Sequence, residues 1–512
     1  MNGAESLVHT LLKAGVDTVF ANPGTSEMHF VAALDRIPGM RCVLCLDETV
    51  VTGAADAYYR MTGKPAATLL HCGPGLANGL ANLHNAKRGR SGIVNIVGDQ
   101  ATYHRKLDAP LTSDTEGLAG TMSAFVRRCV DARDVGADAA AAIEAARVFP
   151  GRVATLILPA DTAWGEGGVV AAAAAPALPE AAAEDAVAAA AVWLGNGKAT
   201  MLLLGGAAMG EAGLRAAWSI TRHTGAQLRL ERSPARLARG RGRVQAERIP
   251  FPVEQALAAF AGVEQVILVN AVAPVAFFAY PGKPGVLVPE GCETLVLSSP
   301  EQDGAAALAA LAARVGAADV APGDPGPRPA PPSGAVTPEG VAQCIAALMP
   351  EQAIIIDEAI SFGRGFFPGT HAAPPHDWVT LSGGAIGDGI PMAVGAAVGA
   401  PGRRVIALQA DGSAMYCLAG LWTQARERLD VTTIILANRK YAILLGELAG
   451  VGANPGRTAM ELMDLTNPAL DWCQLAGGMG VPAARATCLG ELNELLSTSL
   501  KNPGPFLIEL VI

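Results

Sequence analysis

Residues 404–413 of the chain read Arg-Val-Ile-Ala-Leu-Gln-Ala-Asp-Gly-Ser. The apolar run is typical of a buried strand, and it leads directly into an Asp-Gly-Ser turn that begins at Asp411. A glycine in such a turn lets the backbone approach a ligand closely, and the helix predicted over residues 416–427 favours a nearby anion such as phosphate. Asp411 could hold a hard divalent cation that bridges this phosphate.

A second apolar run, residues 431–437, ends at Asn438, which lies 438 − 411 = 27 positions after Asp411. The carboxyl ends of neighbouring parallel strands meet at one edge of a sheet, so Asn438 could supply a second oxygen ligand. An Asp-Gly-Ser sequence alone is usually only a turn. With a strand before it and a helix, a strand and an Asn after it, the pattern predicts a site for phosphate and metal.

The rest of the chain predicts an α/β fold with three doubly wound parallel-sheet domains. Its 512 residues suit about three domains of ~150 residues. Two stretches, 165–181 and 321–334, are rich in Pro, Gly and Ala and are predicted linkers. They leave domains over residues 1–165, 182–320 and 335–512, and each alternates helix-like with strand-like segments.

Composition excludes several classes of protein. Hydrophobic residues make up 51% and charged residues 17%, which excludes a disordered chain, and the net charge of −9 disfavours a nucleic-acid binder. No apolar run reaches the ~18 residues that span a membrane, and residues 1–5 lack the features of a signal peptide. We therefore expect a cytoplasmic protein without a membrane or nucleic-acid partner. Cys42 and Cys45, in a predicted buried strand over residues 41–46, are expected to be reduced.

The motif at Asp411 and Asn438 resembles that of thiamine diphosphate enzymes of the acetolactate synthase, pyruvate oxidase and benzoylformate decarboxylase group. Their motif is Gly-Asp-Gly-Ser, some two dozen residues, then Asn; this chain has Ala410 in place of the first Gly. The resemblance implies Mg²⁺ ligands at Asp411, Asn438 and the main-chain carbonyl of Lys440. It also implies cofactor contacts at Gly412, Ser413 and Tyr441.

Residues 381–391 resemble the Gly-Gly stretch of these enzymes. By that resemblance, the carbonyl of Gly384 would accept a hydrogen bond from the 4′-amino group of the cofactor. The side chain of Ile386 would bend the cofactor into its V shape.

Two segments of the first third resemble the family's pyrimidine-binding elements. Glu48 matches the glutamate of a Glu-x-x-Ala-type helix, and Asn78 ends a Gly-Pro-Gly turn expected near the pyrimidine. In the family, a carboxylate on N1′ favours the imino tautomer, whose nitrogen removes the C2 proton. The alternative is that Glu48 only caps a helix.

Two further residues match active-site positions of benzoylformate decarboxylase. His71 sits where that enzyme has a histidine, and either an acid–base or a structural role is open. Thr25 matches a serine position, where it could contact a substrate carboxylate or cap a turn. The position of that enzyme's second histidine holds Ala279, so the chain departs from it there.

The middle third is predicted to be a flavin-free scaffold, because Gly205-Gly206 is not part of a full G-x-G-x-x-G motif. The arginines between residues 232 and 248 are expected to form a solvated loop. A site for an anionic coenzyme A or nucleotide tail is the alternative.

The resemblance implies an enzyme that uses thiamine diphosphate and Mg²⁺ to act on a 2-oxo acid, as a decarboxylating lyase or a carboligating transferase. The outer thirds would bind the pyrimidine and the diphosphate, respectively. A homodimer or homotetramer would carry cofactor sites between subunits. The alternative is a non-catalytic α/β scaffold that binds the cofactor or a nucleotide.

Overall fold

Three parallel sheets organise residues 1–512 of the computed structural model. The first sheet contains β1 to β6, which are Thr18–Ala21, Arg41–Leu44, Ala66–Leu70, Ile93–Asp99, Phe125–Arg128 and Val153–Pro159. Its helices α1 to α7 are Gly3–Lys13, Met28–Arg36, Glu48–Thr62, Cys72–Gly89, Thr115–Met122, Val135–Arg147 and Ala160–Trp164. The strands are parallel in the order β2-β1-β3-β4-β6-β5.

The middle part of the chain supplies β7 to β12, which are Thr200–Leu204, Gln227–Leu230, Leu237–Arg239, Glu247–Arg248, Gln265–Val269 and Glu293–Ser298. Its helices α8 to α11 are Glu184–Gly195, Glu211–Thr224, Val253–Ala259 and Gly304–Val315. Five of these strands form a parallel sheet in the order β10-β8-β7-β11-β12. The sixth, β9, joins the third sheet instead.

The third sheet contains β13 to β18, which are Ile354–Glu358, His376–Thr380, Val405–Ala410, Val431–Ala437, Ala483–Ala486 and Phe506–Val511. Its helices α12 to α20 are Pro338–Leu348, Phe366–Gly369, Gly389–Gly399, Asp411–Ala414, Ala419–Arg426, Ala442–Gly450, Arg457–Glu461, Trp472–Gly478 and Leu489–Lys501. The order is β17-β18-β16-β15-β13-β14-β9, and only β9 is antiparallel. The predicted three-domain parallel-sheet fold is therefore confirmed, with one antiparallel strand added.

Helices α3 and α14 pack side by side and join the outer domains. A Cβ on Gly53 would come 2.6 Å from Pro391, and one on Gly399 would come 3.2 Å from Tyr58, so the helices run in the same direction. A Cβ on Gly395 would lie only 1.9 Å from a main-chain oxygen of α3, so this close packing requires glycine. Both helices begin at the carboxyl edge of their sheets, where ligands of α/β folds bind.

Helix α16 lies within the predicted helix 416–427 but begins three residues later, because hydrogen bonds between residues three apart close the chain at 413–417. Two other local expectations are wrong. Cys42 is exposed, because β2 is an edge strand with one neighbour. All nine cysteines are free, in agreement with the expected reduced state.

The predicted solvated arginine loop is the second of these errors. Arg239 is 1% exposed, and its guanidinium lies 3.7 Å from the ring centre of Phe367. Arg248 lies 4.0 Å from the same ring centre. The pairing of β9 with β14 carries this segment into the junction between the second and third domains.

None of the helices is both long and apolar enough to cross a membrane.

Candidate active site

Asp411 and Asn438 lie next to each other at the carboxyl edge of the third sheet. Asp411 begins α15 directly after β15 and is 2% exposed. Its Oδ2 accepts a hydrogen bond from the amide of Arg439, at 2.6 Å, which holds it against the turn that follows Asn438. Burial raises the pKa of the Asp411 carboxyl, and the hydrogen bonds from the amides of Arg439 and Gly412 offset this only in part. A cation bound here would stabilise its charged form.

The side chains present fit Mg²⁺. Asp411 offers a carboxylate and Asn438 an amide oxygen, and both are hard ligands of the kind that Mg²⁺ prefers. The Oδ1 of Asn438 accepts from the amide of Lys440, at 3.0 Å, which closes a tight turn there. Each of these oxygens has a second lone pair free for a metal. The side chain of Lys440 is exposed, so only its main chain faces this turn.

The residues predicted to contact the diphosphate differ in the groups that they can present to a ligand. A Cβ at Gly412 would come 2.5 Å from the ring of Tyr441. The group that packs closely against this glycine is therefore the Tyr441 ring. The Ser413 hydroxyl donates to the carbonyl of Ala410, at 3.1 Å, and accepts from Gln409, at 2.6 Å. It is engaged within the protein. The turn therefore presents main-chain atoms rather than a free hydroxyl to a ligand.

The predicted Gly-Gly stretch forms a turn between β14 and α14. Gly384 and Gly387 have φ of 83° and 93°, a backbone conformation that favours glycine, and half-buried Ile386 lies between them. Buried Glu358, at the end of β13, accepts hydrogen bonds from the amides of Gly387, at 2.7 Å, and Asp388, at 2.9 Å. No role for Glu358 was predicted from the sequence, although the acidic pair Asp357-Glu358 at the end of β13 was a signal.

A loop of the middle domain covers this turn. The ring of Phe277 lies where a Cβ on Gly384 would be, with its Cζ 2.5 Å from that position. Tyr280 donates a hydrogen bond to Glu447 of α17, at 2.8 Å. The loop thereby links the Gly384 turn to the helix that follows Tyr441. These contacts were not predicted from the sequence, although an aromatic run between Pro and Gly residues is typical of such a loop.

Glu48 is the first residue of α3, and its neighbour Asp47 caps that helix. The Oδ1 of Asp47 accepts from the amide of Thr49, at 2.7 Å, so the alternative that Glu48 serves as the cap is wrong. Glu48 is 9% exposed, and its Oε2 accepts from the side-chain amide of Asn78, at 3.1 Å. A Cβ on Gly75 would come 2.6 Å from Oε1, so that glycine leaves room for the carboxylate.

His71 and Thr25 both lie at the carboxyl edge of the first sheet. A Cβ on Gly24 would come 2.2 Å from the His71 ring, and exposed Thr25 is the next residue in the chain. His71 Nδ1 lies 2.9 Å from Oε2 of Glu27, a carboxylate with no exposed surface. Glu27 was not predicted as a site residue, although it lies in the same turn as Thr25. Glu27 also accepts from the amide of Gly24, at 2.7 Å, so the turn is capped without the Thr25 hydroxyl.

Helix α4 separates the His71 cluster from the Gly384 turn of the same chain. Asn82 of α4 donates to the carbonyl of Gly387, at 3.4 Å, and Asn85 donates to that of Ala385, at 2.8 Å. His71 precedes the helix by one residue, 82 − 71 = 11 positions before Asn82. At 1.5 Å per residue this is about 16 Å. One chain therefore does not bring His71 and Thr25 to its own Gly384 turn.

In the middle sheet, a side chain of the protein occupies the turn that follows β7. The amide of Gly206 donates to Oε1 of Glu231, at 3.0 Å. In dinucleotide-binding domains, amides of this turn face the pyrophosphate. Ala279 occupies the position that matches the second histidine of benzoylformate decarboxylase. It lies exposed in the loop that carries Phe277.

Comparison with known families gives two matches. Residues 1–125 match the family "Thiamine pyrophosphate enzyme, N-terminal TPP binding domain", and residues 366–510 match "Thiamine pyrophosphate enzyme, C-terminal TPP binding domain". The first match includes Glu48, His71 and Asn78, and the second includes Gly384, Asp411 and Asn438.

Two curated relatives align over nearly the whole chain. A Mycobacterium tuberculosis protein named "Putative acetolactate synthase large subunit IlvX" is 52% identical, over 100% of this chain and 99% of its own. Benzoylformate decarboxylase of Pseudomonas aeruginosa is 30% identical, over 98% and 97%. The solved structure of a thiamine diphosphate-dependent 4-hydroxybenzoylformate decarboxylase from Rhodococcus jostii superposes with a TM-score of 0.85, at 24% identity over 99% and 98% of the two chains, and so shares the fold.

Proposed function

Since this chain belongs to the thiamine pyrophosphate enzyme family, we propose that it is a Mg²⁺-dependent enzyme acting on 2-oxo acids by non-oxidative decarboxylation or carboligation. The observation that carries the proposal is the Glu48 carboxylate. It is buried at the start of α3, it takes no part in capping, and Asn78 is its one side-chain hydrogen-bond partner. A carboxylate in that state is available to the aminopyrimidine of the cofactor.

Residues of both outer domains would hold thiamine diphosphate and its metal. Asp411, Asn438 and the main chain of Lys440 would bind Mg²⁺ and, through it, the diphosphate. The Gly384 carbonyl and the Ile386 side chain would receive the pyrimidine. When bound, the cofactor supplies a cationic ring that accepts the electrons released by loss of carbon dioxide. Glu48 would bind N1′ and keep its proton in place.

His71 and Thr25 are proposed to act on the substrate. Buried Glu27 accepts the hydrogen bond of His71 Nδ1, which leaves Nε2 free to give or take a proton. Thr25 is exposed and follows Gly24, which packs against the ring, and it can donate its hydroxyl hydrogen to a substrate carboxylate. Glu27 is a positioning residue in this arrangement, because it orients the imidazole without facing the cleft.

The cofactor site is proposed to be shared between two copies of the chain. A general acid or base must reach its proton within hydrogen-bond distance, directly or through one water. Within one chain, His71 lies about 16 Å along α4 from the residues that contact the Gly384 turn. A homodimer, or a tetramer made of two such dimers, would bring the His71 cluster of one copy to the Asp411 edge of another.

Mixing two inactive variants tests this arrangement. Glu48→Gln subunits mixed equally with Asp411→Ala subunits should recover up to about a quarter of the wild-type activity, because half the dimers are hybrids and each hybrid has one intact site of two. The measurement is activity after subunit exchange, with exchange followed by mass spectrometry. A mixture that exchanges subunits and stays inactive would contradict a shared site.

The reaction itself is tested with a panel of 2-oxo acids, in the presence of thiamine diphosphate and Mg²⁺. We expect release of carbon dioxide from at least one of them, with an aldehyde product for decarboxylation or a 2-hydroxyketone for carboligation. The omission of Mg²⁺ is the matched control and should abolish turnover. Bound cofactor with no turnover of any 2-oxo acid would instead favour the non-catalytic scaffold.

A further inference from the structure

Three different metal-binding side chains meet where α4 begins. Glu27, His71 and Cys72 each offer one donor atom, and these atoms lie within 4.8 Å of one another. We propose that this trio binds a thiophilic divalent cation such as Zn²⁺, at a site separate from the Mg²⁺ site at Asp411. Zn²⁺ on Nδ1 would replace the hydrogen bond to Glu27 that the proposed acid–base role of His71 uses, so the metal-bound and the catalytic arrangements exclude each other. Binding by these residues can be measured whatever reaction the enzyme performs.

The distances suit a tetrahedral ion. His71 Nδ1 is 2.9 Å from Oε2 of Glu27 and 3.8 Å from Sγ of Cys72. Bonds of 2.0–2.3 Å in a tetrahedral zinc site place neighbouring ligand atoms about 3.3–3.8 Å apart. Oε2 of Glu27 and Nδ1 of His71 would therefore have to move only slightly apart to admit the ion. Ser26, whose Oγ is 3.3 Å from the same sulfur, or a water can fill the fourth position.

The backbone holds these side chains in place before any ion arrives. A Cβ on Gly24 would overlap the His71 ring, at 2.2 Å, and one on Gly98 would overlap Glu27 Oε1. Both positions therefore require glycine for the trio to assemble. Cys72 has a φ of 54°, uncommon for a residue with a side chain, and its Sγ lies 3.8 Å from His71 Nδ1.

The charges around the trio favour a cation. Glu27 has no exposed surface and Cys72 is 1% exposed, so both are removed from solvent. The neighbouring guanidinium groups of Arg105 and Arg128 are paired with Asp99 instead. Apart from His71, the Glu27 carboxylate thus has no positively charged partner. A divalent cation would provide one.

Binding should release one proton. Burial raises the pKa of the Cys72 thiol to about 11, so the sulfur carries its hydrogen at neutral pH. When the sulfur bonds to Zn²⁺, this proton passes to the buffer. At His71 the ring hydrogen moves from Nδ1 to Nε2, which frees Nδ1 for the metal without a net change in the number of protons.

The two metal sites differ in the ions that they select. Sulfur and imidazole donors favour Zn²⁺ over Mg²⁺, whereas the oxygen ligands at Asp411 and Asn438 favour Mg²⁺. Saturating Mg²⁺ and thiamine diphosphate would therefore fill the Asp411 site and leave the trio open. This difference allows the two sites to be measured separately in the intact protein.

Titration calorimetry with Zn²⁺ under those conditions tests the proposal. We expect one Zn²⁺ bound per chain and about one proton released, the latter obtained from buffers of different ionisation enthalpy. Cys72→Ser and Glu27→Gln should each lower the Zn²⁺ affinity at least about 10-fold. Cys42→Ser, which changes an exposed cysteine away from the trio, should leave it unchanged.

Co²⁺ provides a spectroscopic readout independent of affinity and activity. Co²⁺ bound by Cys72 should show a thiolate-to-metal charge-transfer band, and Cys72→Ser should remove it. If Cys72→Ser did not fold, as judged by circular dichroism, Cys72→Ala and Glu27→Gln would carry the same comparison. A wild-type protein without this band, or a folded Cys72 variant with unchanged Zn²⁺ affinity, would overturn the proposal.

Discussion

The variant Glu48→Gln is expected to exchange the C2 proton of bound thiamine diphosphate about 10²–10⁴-fold more slowly than the wild-type protein. Gln keeps the size of the side chain and can still hydrogen-bond Asn78, but it removes the charge that would hold a proton on N1′. Cofactor affinity should change little, because the diphosphate and metal are bound at Asp411. Hydrogen–deuterium exchange at C2, followed by NMR after rapid quenching, measures the effect directly.

The adjacent carboxylate provides the control for this experiment. Asp47→Asn makes the same chemical change one residue earlier, at the helix cap rather than in the proposed site. It should leave the exchange rate near the wild-type value, because Asn is as good a cap as Asp. Exchange at the wild-type rate in Glu48→Gln would mean that another group activates the cofactor, and the assignment of Glu48 would fail.

The second large effect is expected at the metal site. Asp411→Ala should weaken Mg²⁺-dependent binding of thiamine diphosphate at least about 100-fold, because it removes the one carboxylate ligand, and loss of outer partners alone costs 10–100-fold. Calorimetric titration with the cofactor at fixed Mg²⁺ measures this loss. Asp411→Asn retains an acceptor for the amide of Arg439, so it separates the loss of charge from the loss of that hydrogen bond.

Asp430→Ala is the matched control for Asp411→Ala. Asp430 also accepts a main-chain hydrogen bond, from Gly504 at 2.7 Å, but it precedes β16 and so lies at the opposite edge of the same sheet. Its loss should destabilise the domain by about 1–3 kcal/mol without affecting cofactor binding. Unchanged cofactor affinity in a folded Asp411→Ala protein would contradict the assignment of the metal site.

The parallel sheets and the Asp411 edge could be predicted from the sequence because their signals are local. An apolar run of four to seven residues that ends in a polar turn specifies a buried strand and its carboxyl end within a dozen positions. This is why β15 with Asp411, and β16 with Asn438, were predicted in their correct places. Glu48 and His71 could be chosen as candidates because their positions match active-site residues of the family that the sequence resembles.

Contacts between distant segments could not be predicted in this way. The partner of His71 is Glu27, 44 positions earlier, and the ring over Gly384 belongs to Phe277 of another domain. The pairing of β9 with β14 buried Arg239, which belongs to a segment that seemed suited to a solvated loop. Hydrophobic periodicity reports which residues are buried within one element. It contains no information about which other element covers them.

The amino-acid sequence alone therefore determined the strands, the turns at their carboxyl ends and the residue types available for chemistry there, since each depends on neighbours in the chain. Only the tertiary structure decided that Asp47 rather than Glu48 caps α3, that Glu27 orients His71, and that Cys72 joins them. Hydrogen-bond direction and burial depend on the packing of whole domains. The same packing places the His71 cluster and the Gly384 turn of one chain about 16 Å apart along α4.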